Sequence, residues 1–154
     1  MQVRLHHFCP PAWHVTGALD AELPIKIEDF KGKWLLVEFW GFSCYACLTK
    51  SLPELAAFHA EFQDQIDHFQ IISFNLDRDV ESEEQLTARL APIVKAAWKG
   101  KKLPFPTLID ETAKTQEAYG ISGFPTIVLV DPKGHVVKDG NLEDLREALE
   151  SLRR

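Results

Sequence analysis

The sequence predicts an α/β fold, a three-layer α/β/α sandwich on a mixed sheet that closes with a C-terminal antiparallel hairpin. Three observations predict it. Short apolar runs alternate with stretches of helical spacing in the order β-α-β-α-β-α-β-β-α. The first run, Trp34-Leu-Leu-Val-Glu-Phe-Trp40, is bounded by glycines and too short for a buried helix, so it reads as a central strand covered on both faces. Finally, 154 residues with 45% hydrophobic and 26% charged content are ordinary globular material. Such a chain buries roughly two-thirds of its extended surface and needs no disulfide staples.

Each element follows from local pattern. Residues 1–30 are proline-rich and aperiodic, an arm with one or two edge strands ahead of a main domain at 31–154. Lys31-Gly-Lys33 is a turn leading into the first central strand. Gly41-Phe-Ser43 ends that strand, and Leu48, Leu52, Leu55, Phe58 and Phe62 then recur at i+3 and i+4 as one apolar helical stripe. Pro53 falls inside the stripe and should kink or divide the helix. A strand follows at 69–76. Ser82-x-x-Gln85 is a capping box opening a helix that runs to about Gly100 with Pro92 inside. A strand at 107–109, a helix at 112–119 closed by Gly120 and a strand at 126–130 complete the central order. Asp131-Pro-Lys-Gly134 is a tight turn to Val136-Val137, the predicted hairpin, and residues 141–152 form an amphipathic helix.

Charge and composition exclude several classes of function. With 17 Lys+Arg against 23 Asp+Glu the net charge is −6, and there is no basic stripe for nucleic acid. No apolar run reaches the eighteen or so residues of a membrane span. The N-terminus, Met1-Gln-Val-Arg-Leu-His-His-Phe-Cys-Pro-Pro, lacks an apolar signal region, which reads as cytoplasmic as written and extracytoplasmic if a leader or anchor was removed. Three cysteines are too few for a secreted disulfide scaffold.

Two of those cysteines carry the chemistry. Cys44-Tyr-Ala-Cys47 sits just past a buried strand, on the first turn of a helix. Free backbone N–H groups and the positive end of the helix dipole stabilise a thiolate on the first cysteine there. The spacing lets the second cysteine turn back and close a small disulfide ring. The first sulfur should face solvent and the second should be shielded, the arrangement that thiol–disulfide exchange requires. Packed cysteines acting as small hydrophobes are the bland alternative. Glu38 is a second sharp feature, because a carboxylate inside a buried strand must protonate or find a partner.

Taken together, Trp34 to Cys47, Pro104-Phe-Pro-Thr, Ile121-Ser-Gly-Phe-Pro-Thr126 and Asp131-x-x-Gly134 resemble the thioredoxin fold. The arm and the segment between residues 77 and 106 resemble its TlpA/ResA-like thiol-disulfide oxidoreductase branch, over about residues 24 to 150. The resemblance implies that Cys44 is the attacking nucleophile, Cys47 the resolving cysteine and Pro125 a cis-proline lying against the disulfide. It implies too that Phe124 pairs its backbone with an extended substrate, with Phe42 and Tyr45 adding an apolar rim. Glu38 matches the buried acid that exchanges a proton with the resolving cysteine.

The pattern is broken in places. Ser43 replaces the usual tryptophan, Tyr45-Ala46 replaces Gly-Pro, Pro53 lies one residue further from Cys47 than usual, and Ser73 stands where a lysine near the acid is expected. The implied activity is exchange with protein disulfides or dithiols, supported by an upstream redox partner, with no metal or organic cofactor. Two alternatives are a peroxidase of the same fold and a non-catalytic peptide-binding module. The peroxidase expects Thr-x-x-Cys and a helping arginine, where this chain has Gly41-Phe-Ser-Cys and no arginine nearby. A zinc site of His6, His7 and Cys9 with the cysteine pair is a weaker possibility, and Cys9 more simply remains a free thiol.

Overall fold

The structure is a computed structural model and describes residues 9–153. Five strands form one sheet: β1 (Gly17–Leu19), β2 (Trp34–Trp40), β3 (Phe69–Asn75), β4 (Thr107–Ile109) and β5 (Thr126–Val130), in the spatial order β1-β4-β3-β2-β5. The three inner strands are parallel, while β1 and β5 run antiparallel at the two edges. The arm thus contributes one edge strand, β1. Four α-helices follow the strands: α1 (Leu52–Glu61), α2 (Glu83–Ala96), α3 (Lys114–Tyr119) and α4 (Leu142–Leu152).

Strand alternation sorts the core into two layers. Leu36 and Trp40 of β2 face one side, packed with Leu52 and Leu55 of α1, Leu86 and Leu90 of α2, and Leu145 and Leu149 of α4. Leu35, Val37 and Phe39 face the other side, against Tyr119 of α3, Ile121 and Ile27. Both faces of β2 are therefore covered, which its unbroken apolar run requires. The Tyr119 hydroxyl donates to the Pro11 carbonyl at 2.5 Å, tying the arm to α3. At the start of α3, burial raises the proton affinity of Asp110, but hydrogen bonds from Thr112 and Thr115 outweigh it and hold the carboxyl below its usual range.

Three expectations are revised in detail. The C-terminal hairpin shrinks to a single antiparallel bridge, Val130 to Val136, and among the described residues no strand follows β5. Its turn forms, with the Asp131 carboxylate accepting from the backbone of Lys133 and His135. The chain then turns off at Gly140, where a Cβ would lie 2.8 Å from Leu129 Cβ, so only glycine passes this close to β5. Helix α2 stops at Ala96, short of Gly100. In its capping box the Ser82 hydroxyl accepts from Gln85 N–H, but the Gln85 side chain takes the N–H of Glu81.

The third revision concerns Pro53. The helix is not divided there; the irregularity falls just before the proline, as a π-helical turn, Cys47–Ser51, that leads directly into α1. Leu52 N–H reaches back five residues to the Cys47 carbonyl, widening the turn ahead of a proline ring that would otherwise crowd the preceding turn. Pro53 has no N–H to offer, and the Leu48 carbonyl instead accepts the indole N–H of Trp98 at 2.7 Å.

Candidate active site

The reactive pair lies where β2 gives way to the helix. Cys44 and Cys47 are joined as a disulfide with 5.3 Å between their Cα atoms. Cys44 is half-buried, and Cys47 has no exposed surface. The backbone N–H of Cys47 points at the Cys44 sulfur, 3.1 Å away. That donor, at the open end of a helix, would favour a thiolate on Cys44 once the pair is reduced. The loop before it is pinned from β3: the Asp77 carboxylate accepts from Phe42 N–H at 2.8 Å and from the Asn75 side chain at 2.9 Å. Gly41 lets the Phe124 loop press in, since a Cβ there would lie 3.0 Å from the Phe124 ring. Phe124 and Phe42 join Cys44 and Cys47 on one apolar cluster, and the Phe124–Pro125 bond is cis.

Glu38 is fully buried, between Leu36 and Trp40 on the face of β2 whose core also holds Cys47 and the apolar side of α1. Burial pushes its carboxyl up from 4.5 to about 7; the Ser51 hydroxyl opposes that rise, and the negative charge of Glu54 adds to it. Ser51 donates to Glu38 Oε2 at 2.8 Å, whereas Oε1 has no hydrogen-bond partner among the described residues. A glutamate poised near neutrality can both take and return a proton at physiological pH. Ser73, opposite Glu38 on β3, is committed elsewhere: it accepts from Trp40 Nε1 at 2.9 Å and shares a hydrogen bond with the Thr107 hydroxyl.

The model of the AhpC/TSA family matches residues 11–139. The chain belongs to that family. The thiol-disulfide oxidoreductase ResA of Bacillus thuringiensis subsp. konkukian is 29% identical over 126 residues, which is 82% of this chain and 65% of that protein. ResA of Bacillus subtilis is 30% identical over 114 residues, 74% of this chain and 56% of that protein. The chain therefore spans less than two-thirds of the length of these relatives. The thioredoxin domain of a thiol-disulfide oxidoreductase from Bacteroides vulgatus superposes with a TM-score of 0.62 at 29% identity, covering 92% of this chain and 97% of that one. The predicted thioredoxin-like fold is thus shown.

Tyr45, expected at an apolar rim, is 79% exposed beside Cys44. Other features of this AhpC/TSA chain were less visible in its sequence. An arginine does approach: the Arg89 guanidinium of α2 lies 4.3 Å from the centre of the Phe42 ring and is held by Asp79 at 3.0 Å. Ser51 was missed as well, although its place four residues after Cys47 was a usable signal for a residue on the same helix face. Cys9, by contrast, is not brought to the site. It is an exposed free thiol lining a cavity of about 100 Å³ with Leu35, Val130 and Gly134, at the opposite end of β2 from Cys44. His6 and His7 lie outside the described residues, and among the described residues no three ligating side chains cluster.

Proposed function

We propose that this chain is a thiol-disulfide oxidoreductase acting on proteins through a mixed disulfide. In the reducing direction the Cys44 thiolate attacks a client disulfide. A Cys44–client S–S bond forms as the client S–S bond breaks, and the first client sulfur leaves as a thiolate that takes a proton from water. Glu38, as carboxylate, accepts the Cys47 proton. The Cys47 thiolate then attacks the Cys44 sulfur, forming the enzyme disulfide and releasing the second client thiolate. Two electrons pass to the client, and an upstream dithiol must restore the enzyme. Run backwards, the same steps oxidise a client dithiol.

The observation that carries this reading is the asymmetry of the disulfide. One sulfur is half-exposed and faces a backbone N–H, while the other is sealed against the core that also holds Glu38. Phe124 and Pro125 would seat an extended client strand, and Phe42 and the exposed Tyr45 would supply its apolar contacts. The partners are proteins bearing disulfides or dithiols. Among the described residues, no helix is long and apolar enough to cross a membrane.

Insulin reduction with dithiothreitol, run beside a hydrogen-peroxide consumption assay, tests this function. Accelerated insulin reduction with little peroxide turnover supports exchange; the reverse result assigns a peroxidase, and neither activity assigns a binding module. Cys47→Ala should accumulate client-linked mixed disulfides on non-reducing gels, because the resolving sulfur is gone.

A further inference from the structure

Among the described residues no cation pairs with the buried Glu38, and the hydrogen-bond donor it receives comes from an unexpected place. The Ser51 hydroxyl reaches Oε2 at 2.8 Å from the last residue of the π-helical turn that begins at Cys47. In a regular helix, a residue four positions on is rotated by about 40° from the first. The wider turn removes much of that rotation and keeps Ser51 above the sheet-facing side on which Cys47 packs. Ser51 is itself half-buried, so its hydroxyl bridges the margin of the helix and the sealed carboxyl.

We infer that Ser51 is a positioning residue of the exchange reaction: held inward by the π-turn, its hydroxyl orients the Glu38 carboxyl and stabilises the charged form. This rests on the base role proposed above for Glu38. Few other groups compete for that task. Glu54 of α1 is the charged group whose field reaches Glu38, and it opposes the charged form. Cys47 is the titratable side chain on this face of the π-turn. The flanking strand positions, Ser73 and Ile127, carry no charge, and neither do Leu86 and Leu90 of α2 or Leu145 and Leu149 of α4 on this side of the sheet.

The direct test is to titrate the Glu38 carboxyl by carbon NMR in the oxidised protein, where neither Cys44 nor Cys47 titrates, so the midpoint belongs to the carboxyl. Ser51→Ala should move the midpoint up by about one pH unit, the scale of a hydrogen bond to a charged group. Ser51→Thr, which keeps the hydroxyl, should stay close to wild type, and Glu54→Gln should move it down. The rising limb of the insulin-reduction pH profile should follow to higher pH in Ser51→Ala and return in Ser51→Thr. An unmoved carboxyl in Ser51→Ala overturns the assignment of Ser51, as does a Thr variant displaced as far as the Ala variant. A displaced carboxyl with an unmoved exchange profile overturns the base role of Glu38, and with it the part of Ser51 in the reaction.

Discussion

At the scale of single residues, Glu38 sets a conflict between stability and chemistry. Its carboxyl titrates near 7 in the folded chain against 4.5 for an ordinary glutamate. Between those values the folded protein holds a proton that the unfolded chain has released, so stability falls as pH rises through that window and levels off above it. The difference amounts to about 3 kcal/mol. Urea unfolding of the oxidised protein should therefore show wild type losing about that much relative to Glu38→Gln between pH 4.5 and 8. A difference independent of pH would mean that the carboxyl does not titrate in this range. The burial of Glu38 was legible in the sequence, because the flanking run Leu-Leu-Val and Phe-Trp left a central strand as the natural reading. Its donor was not legible. Only the register of a widened helical turn brings Ser51 to a strand thirteen residues away in sequence.

The elements tell a similar story about local and distant information. Strands β2, β4 and β5 and the capped helix α4 were written in local pattern: apolar runs punctuated by glycine or proline, and the reciprocal Asn141/Asp144 cap. The hairpin is reduced to one bridge, and the chain beyond it passes close over Leu129 at Gly140, a tertiary approach that a local reading does not contain. Likewise the Phe42–Arg89 contact joins residues far apart in sequence, and no spacing rule anticipates it. Ser73 on β3, at the position where the sequence reading expects a lysine, also acquires its meaning only in the assembled sheet. Ser73 takes the Trp40 N–H and shares a hydrogen bond with Thr107, so one buried hydroxyl links β2, β3 and β4. Ser73→Ala leaves the indole donor unpaired and should cost about 1–3 kcal/mol in denaturant unfolding, with little change in slope. A cost below a few tenths would show that the link is energetically idle.

Across the whole molecule, the sheet keeps the two kinds of cysteine apart. Cys44 and Cys47 lie at the C-terminal end of β2, whereas Cys9 opens onto a cavity at its beginning. Folded, oxidised protein should accordingly expose one thiol to Ellman's reagent and show three after reduction and unfolding. Alkylating that single thiol, or substituting Cys9→Ser, should leave the insulin-reduction rate within about twofold of wild type. A larger loss would tie the arm to the reaction and contradict the separation seen along β2.

The indole of Trp98 gives the segment after β3 a purpose beyond covering the sheet. By lending its proton to the Leu48 oxygen, it supplies what Pro53 cannot, and so anchors the far end of α2 to the coil that carries the sulfurs. Trimming that segment would strand an oxygen next door to the cysteine pair. Tryptophan and proline here form a matched set, and losing one changes what the other must do.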